Sequence, residues 1–140
     1  MRRCLISITF VETELEELWD RLEAWQNNTE QGMTRDKYFS MCDQLNQEPN
    51  PTRIPPDLED FPVDVQKALI IFNKLGDRVV ADIGYLGKDY TQLPVYFDAY
   101  NITNKRLCLE VLLRLDSRLI KNSADKMKAE REKIKRQNKP

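Results

Sequence analysis

Thr103–Ile120 reads TNKRLCLEVLLRLDSRLI, and this stretch decides the fold class. Leu107, Cys108, Val111, Leu112, Leu115 and Leu119 recur at the three-to-four-residue spacing of one helix face, with no strand-like alternation. After Ile120 the apolar positions thin to Ala124, Met127 and Ile134 while Lys and Arg accumulate. From Arg118 to Pro140 nine Lys or Arg stand against three acids (Asp125, Glu130, Glu132), a balance of +6. The whole chain is −1, so the residues before Arg118 carry about −7. An acidic body with a basic arm is the charge pattern of a chain that docks onto something larger. Past about Ser123 the helix has little to pack on and is expected to project into solvent or fray.

Working outward, 140 residues with 41% hydrophobic content fit one domain with a core large enough to fold alone. Cys4, Cys42 and Cys108 are odd in number and widely spaced, so plain buried thiols in a reducing compartment are expected. The start, Met1-Arg2-Arg3 followed by the apolar run Cys4–Val11, superficially resembles a signal peptide. The run meets Glu12 without a small-residue cleavage site, and an edge strand or packed arm is the expected form. No stretch approaches the ~18 apolar residues of a membrane span. The Asn27 and Asn101 sequons therefore read as chance matches in a cytoplasmic chain.

Residues 13–26 form an amphipathic pattern, with Leu15, Leu18, Trp19, Leu22 and Trp25 on one stripe and Thr13 as its cap. Asn27–Gly32 reads as a polar break. A second helix is expected from a Thr34 cap to about Leu45, with Tyr38, Met41, Cys42 and Leu45 inward. Residues 46–62 hold Pro49, Pro51, Pro55, Pro56 and Pro62, which predicts an extended, ordered segment that wraps the surface or separates the first helices from the rest. With Pro62 at its first position and Gly76 as its stop, a third helix is expected over Val63–Leu75. It is apolar nearly all round and belongs at the centre. Arg78–Leu86 reads as a short helix or turn with Val79, Val80 and Ile83 inward, a short strand being the alternative. Gly87-Lys88-Asp89 reads as a turn and Thr91–Tyr100 as a short helix.

Absent histidine removes the commonest general base and the Ser-His and Cys-His pairs, and three scattered cysteines cannot make a Cys₄ site. No cofactor or metal is implied. The carboxylates Asp57, Glu59 and Asp60 sit among prolines and read as turn chemistry. Gly84-Tyr85-Leu86-Gly87-Lys88-Asp89 is not a phosphate loop: two residues separate its glycines instead of four, and Asp89 stands where a hydroxyl should. A helix-turn-helix within 63–100 lacks cations on the candidate reading helix, since Thr91–Tyr100 carries Asp98 and no Lys or Arg.

Met33-Thr34-Arg35-Asp36-Lys37-Tyr38-Phe39-Ser40-Met41-Cys42-Asp43-Gln44-Leu45, then Glu48-Pro49, Ile54-Pro55, Asp60-Phe61-Pro62-Val63-Asp64-Val65-Gln66 and Tyr85-Leu86-Gly87-Lys88-Asp89, resemble small proteins of tailed bacteriophages, particularly those of marine bacteria. The resemblance covers roughly residues 33–100 and brings no catalytic motif. It implies an accessory factor acting in a bacterial host's cytoplasm or carried in the virion.

These readings combine into an all-α expectation: a small irregular helical bundle with a Pro-rich linker and a long basic C-terminal helix. The expected parts are an N-terminal helical arm or hairpin (1–45), the linker (46–62), a helical core (63–120) built on Val65, Leu69, Phe72, Phe97, Leu109 and Leu112, and a helical or disordered basic tail (121–140). The expected function is non-enzymatic protein–protein contact, in virion assembly or on a host complex, with no membrane role. Candidate contacts are Trp19, Trp25, Tyr85 and Tyr90, each also a natural core residue. The alternative is a nucleic-acid-associated regulator of transcription or DNA packaging. Its phosphate contacts would be Lys126, Lys128, Arg131, Lys133, Lys135 and Arg136, which serve equally well against an acidic protein surface.

Overall fold

The structure, a computed structural model, describes residues 12–139, so the expectations for Met1–Val11, Cys4 included, lie outside the described residues. The chain divides into two compact units between Pro62 and Val63. In the first, α1 spans Glu12–Glu30 and α2 spans Arg35–Gln44. In the second, α3 (Val63–Lys74) is followed by a hairpin of β1 (Asp77–Val80) and β2 (Gly84–Lys88), then α4 (Leu93–Ala99) and α5 (Lys105–Gln137). The chain is mostly helical, as expected, but it is not purely all-α.

α1 runs into the polar break read at Asn27–Gly32 and ends at Glu30, because its polar residues bond back along the helix. Asn28 donates to the Ala24 carbonyl and Thr29 to the Trp25 carbonyl, both at 2.8 Å. Thr13 lies inside α1 and is not its cap. Leu18 and Leu22 are buried, whereas Trp19 and Trp25 are half-buried.

Three helices end the same way. After α1, α2 and α4, Gly32, Asn46 and Asn101 adopt positive φ. The next residue then bonds five back: Met33 to Asn28, Gln47 to Cys42 and Ile102 to Phe97. Such ends satisfy the last helix carbonyls, and Gly and Asn are the residues that tolerate the geometry. Asn101 thus has a backbone role.

Thr34 caps α2 as expected, its hydroxyl accepting from Lys37 N at 3.2 Å. Only Cys42 of the expected stripe is buried; Tyr38 is half-buried, and Met41 and Leu45 are exposed. The Pro-rich segment instead meets the helices through polar groups. The Tyr38 hydroxyl accepts from Asn50 N at 3.0 Å, and Arg35 Nε donates to the Pro55 carbonyl at 3.0 Å. A single 3₁₀ turn, Leu58–Asp60, is closed by a capping box between Asp57 and Asp60.

In the second unit α3 packs along α5. Val65, Ala68, Leu69, Ile71 and Phe72 are buried, as are Leu107, Cys108, Val111, Leu112 and Leu115. Ile70 is exposed, so α3 keeps one wet edge. Two of the expected core residues fall short: Phe97 is half-buried and Leu109 is exposed. The starts of the two helices are stitched together, for Asp64 on α3 accepts Asn104 N at 2.7 Å while Asn104 caps α5. Burial also pushes the Cys108 thiol up to about 12, with the Asp64 charge adding to it, so this cysteine is an inert core residue.

The hairpin corrects the helix or turn expected at Arg78–Leu86. Its turn is Ala81–Ile83, with Asp82 at φ +68°, so Gly87 and Lys88 belong to a strand and not to a turn. Val79, Val80 and Ile83 point outward, not inward. The hairpin packs on α5. A Cβ on Gly84 would lie 2.8 Å from Ser123 Oγ, and one on Gly87 would lie 3.0 Å from Asp116 Oδ2. Both glycines also hold positive φ, +101° and +116°. They therefore serve close approach to α5.

Candidate interaction surfaces

The second unit is organised around a charged residue that the sequence reading passed over. Asp116 lies on the inward side of α5 and is only 4% exposed. Its Oδ1 accepts the Tyr85 hydroxyl at 2.5 Å. Its Oδ2 accepts the Tyr90 hydroxyl at 2.6 Å and the Lys88 backbone N–H at 2.9 Å. Burial, then the bond to Asp116, raises both tyrosine hydroxyls above the usual phenol value of 10. About two turns further along, Ser123 Oγ accepts Tyr85 N at 3.1 Å.

This arrangement seals one edge of a two-stranded sheet. Two β2 amides, Tyr85 N and Lys88 N, are satisfied by side chains of α5. Lys88 extends the clamp: its ammonium pairs with Asp77 at 2.7 Å and lies 4.7 Å from the Phe72 ring centre. Tyr85 and Tyr90, expected as partner contacts, are thus brought together, but as donors to a buried carboxylate. A carboxylate whose two oxygens take three protein donors is a structural brace.

With the hairpin braced, several of its apolar side chains remain uncovered. β1 is exposed along its length, with Val79 67% and Ile83 56% exposed, and Leu86 is exposed as well. Apolar side chains on an immobilised element lose little entropy on being covered.

The basic arm remains helical to Gln137 and does not fray earlier. Lys126, Lys128, Arg131, Lys133, Lys135 and Arg136 are all exposed, and Arg131 donates to the Asp82 carbonyl of the hairpin turn at 2.8 Å. That bond ties the arm to the hairpin turn, and Ser123 and Met127 lie so near Gly84 that a side chain there would meet them.

In the first unit, an open cleft of about 400 Å³ is lined by Arg21, Arg35, Phe39, Pro51, Ile54 and Pro56, with Asp60 between the arginines. Arg21 donates to the Asp60 carbonyl at 3.0 Å, and Arg35 bonds the Asp60 carboxylate. The Asp57 backbone N–H and Arg35 hold the Asp60 carboxyl below its usual range. Trp19 and Trp25 do not line the cleft. Sequence carried a faint signal for it, in basic residues opposite a proline run.

No group of His, Cys, Asp or Glu among the described residues is placed to hold a metal, and no described helix is long and apolar enough to cross a membrane. Comparison with protein families, curated proteins and solved structures finds no match to this chain.

Proposed function

We propose that this chain is a non-enzymatic bacteriophage accessory protein that works by protein–protein contact, in virion assembly or on a complex of the bacterial host. What supports this reading is the hairpin: apolar side chains turned outward on a rigid mount. An element that only filled space would turn Val79 and Ile83 inward. Fixing them outward readies side chains that a partner covers at low entropic cost. The test begins with co-purification from host lysate, then reassembly of the complex from the pure, identified partner. Val79→Lys with Ile83→Lys should weaken that complex by at least about tenfold while leaving the circular dichroism unchanged. Undiminished affinity of the variant would remove the hairpin from the reading.

Exposure of all six named cations on α5 favours a second reading, contact with nucleic acid. Binding of a labelled DNA duplex should then fall steeply with salt, and Lys133→Gln, Lys135→Gln and Arg136→Gln together should flatten the salt slope by about two to three units. Salt-independent binding, or none, counts against it. Both readings place the protein in the host cytoplasm or the virion.

A further inference from the structure

We infer that the cleft of the first unit binds a carboxylate flanked by a large apolar side chain, presented by a partner polypeptide. This deepens the docking reading and rests on it only for the source of the ligand. The argument starts from the two guanidiniums. Arg21 commits Nη1 to the Asp60 carbonyl, and Arg35 commits Nε to Pro55 and Nη2 to Asp60. A guanidinium has five N–H donors, so each arginine keeps donors in reserve beside the cleft it lines.

Charge comes next. Two arginines against one aspartate leave a local surplus of about +1, inside a body that carries about −7 before Arg118. A polyanion is repelled by that body, and Asp57 and Glu59 adjoin the site in sequence. A single carboxylate matches both the local charge and the fork geometry of a guanidinium.

The walls supply the rest. Phe39 is 39% exposed, and Pro51, Ile54 and Pro56 complete the lining beside the arginines. An apolar group seated on these walls would exclude water from the arginines beside it. Prolines have little freedom left to lose when a ligand arrives. A lone anion would use the arginines and waste the walls, whereas an uncharged apolar group would do the reverse. Only the two together use the whole cleft.

N-acetyl-phenylalanine and its amide isolate the carboxylate. Titrated into the ¹⁵N-labelled full chain, the acid should shift the Arg21 and Arg35 Nε–H signals and the Phe39 amide, with a Kd of about 1–10 mM. The amide should bind at least about tenfold more weakly. Arg21→Gln should abolish the response to the acid while the rest of the spectrum holds. Equal shifts by acid and amide, or none by either, overturn the inference. That outcome leaves the hairpin-dependent complex untouched, so the two proposals fail separately.

Discussion

Asp116 in the second unit and Asp60 in the first both tie distant segments together, and they work under opposite conditions. Asp116 is buried and holds two hydroxyls and an amide. Asp60 is exposed, with 39% of its side chain accessible, and holds a guanidinium and the Asp57 amide. Water competes freely for the partners of Asp60 and hardly at all for those of Asp116. The same chemical group should therefore matter to stability in the second unit and to recognition in the first.

Replacing the buried carboxylate is the largest test of this contrast. Asp116→Ala strands three donors beneath a hairpin and should cost about 3 kcal/mol in urea denaturation. Asp116→Asn keeps an acceptor oxygen and should cost less. A loss below about 1 kcal/mol for Asp116→Ala would mean that solvent reaches the cluster, and the contrast would collapse.

Gly84→Ala probes the same brace from the backbone. The new methyl would sit against Ser123 Oγ and Met127, on a residue at φ +101°. A cost of about 2 kcal/mol is expected, from strain in the strand and displacement of the hydroxyl that holds Tyr85 N. Ser123→Ala removes only the hydroxyl, so if it rescued Gly84→Ala fully, the backbone strain would be negligible.

Little of this brace was legible in advance. The helices were, because Leu107 to Leu119 and Val65 to Phe72 repeat at helix spacing over several turns. The hairpin was not: β1 is four residues long, and exposure of both Val79 and Val80 erases the inward–outward alternation that marks a strand. Asp116 did leave a trace, as an acid four residues after Leu112 on the apolar side of the helix. What it pairs with was invisible, since Tyr85 and Tyr90 are 31 and 26 residues away in sequence. The cleft was hidden for a similar reason, its arginines and prolines meeting only through tertiary bonds.

Alkaline titration sharpens the buried side of the comparison. The hydroxyls of Tyr85 and Tyr90 are raised, so ionisation is resisted in the folded chain and free in the unfolded one. Their stabilising contribution is complete below the ordinary phenol value near 10 and is lost as the pH climbs past it. The tyrosinate absorbance of Tyr85 and Tyr90 should be withheld until the chain unfolds. In Tyr90→Phe only that of Tyr85 should be withheld, with a stability loss of about 1–2 kcal/mol at neutral pH. Titration of both hydroxyls while the fold persists would show them to be solvent-ready.

The smallest effect belongs to Asp60. Its carboxyl is held low, chiefly by the Asp57 amide and then by Arg35, so it supports the fold above its unfolded value of 3.8. That support fades as the pH falls through the lower, folded value. Because the group is exposed, Asp60→Asn should cost only about 0.5 kcal/mol at neutral pH and almost nothing in strong acid. The informative measurement is therefore ligand response. Removing the competing carboxylate frees the Arg35 donor it occupies and raises the local charge, so Asp60→Asn should bind N-acetyl-phenylalanine more tightly, by about threefold. Weaker binding in this variant would mean that Asp60 holds Arg35 in the only orientation able to receive a carboxylate. The exposed aspartate would then be a positioning residue, as indispensable to its partner as the buried one is to its hairpin.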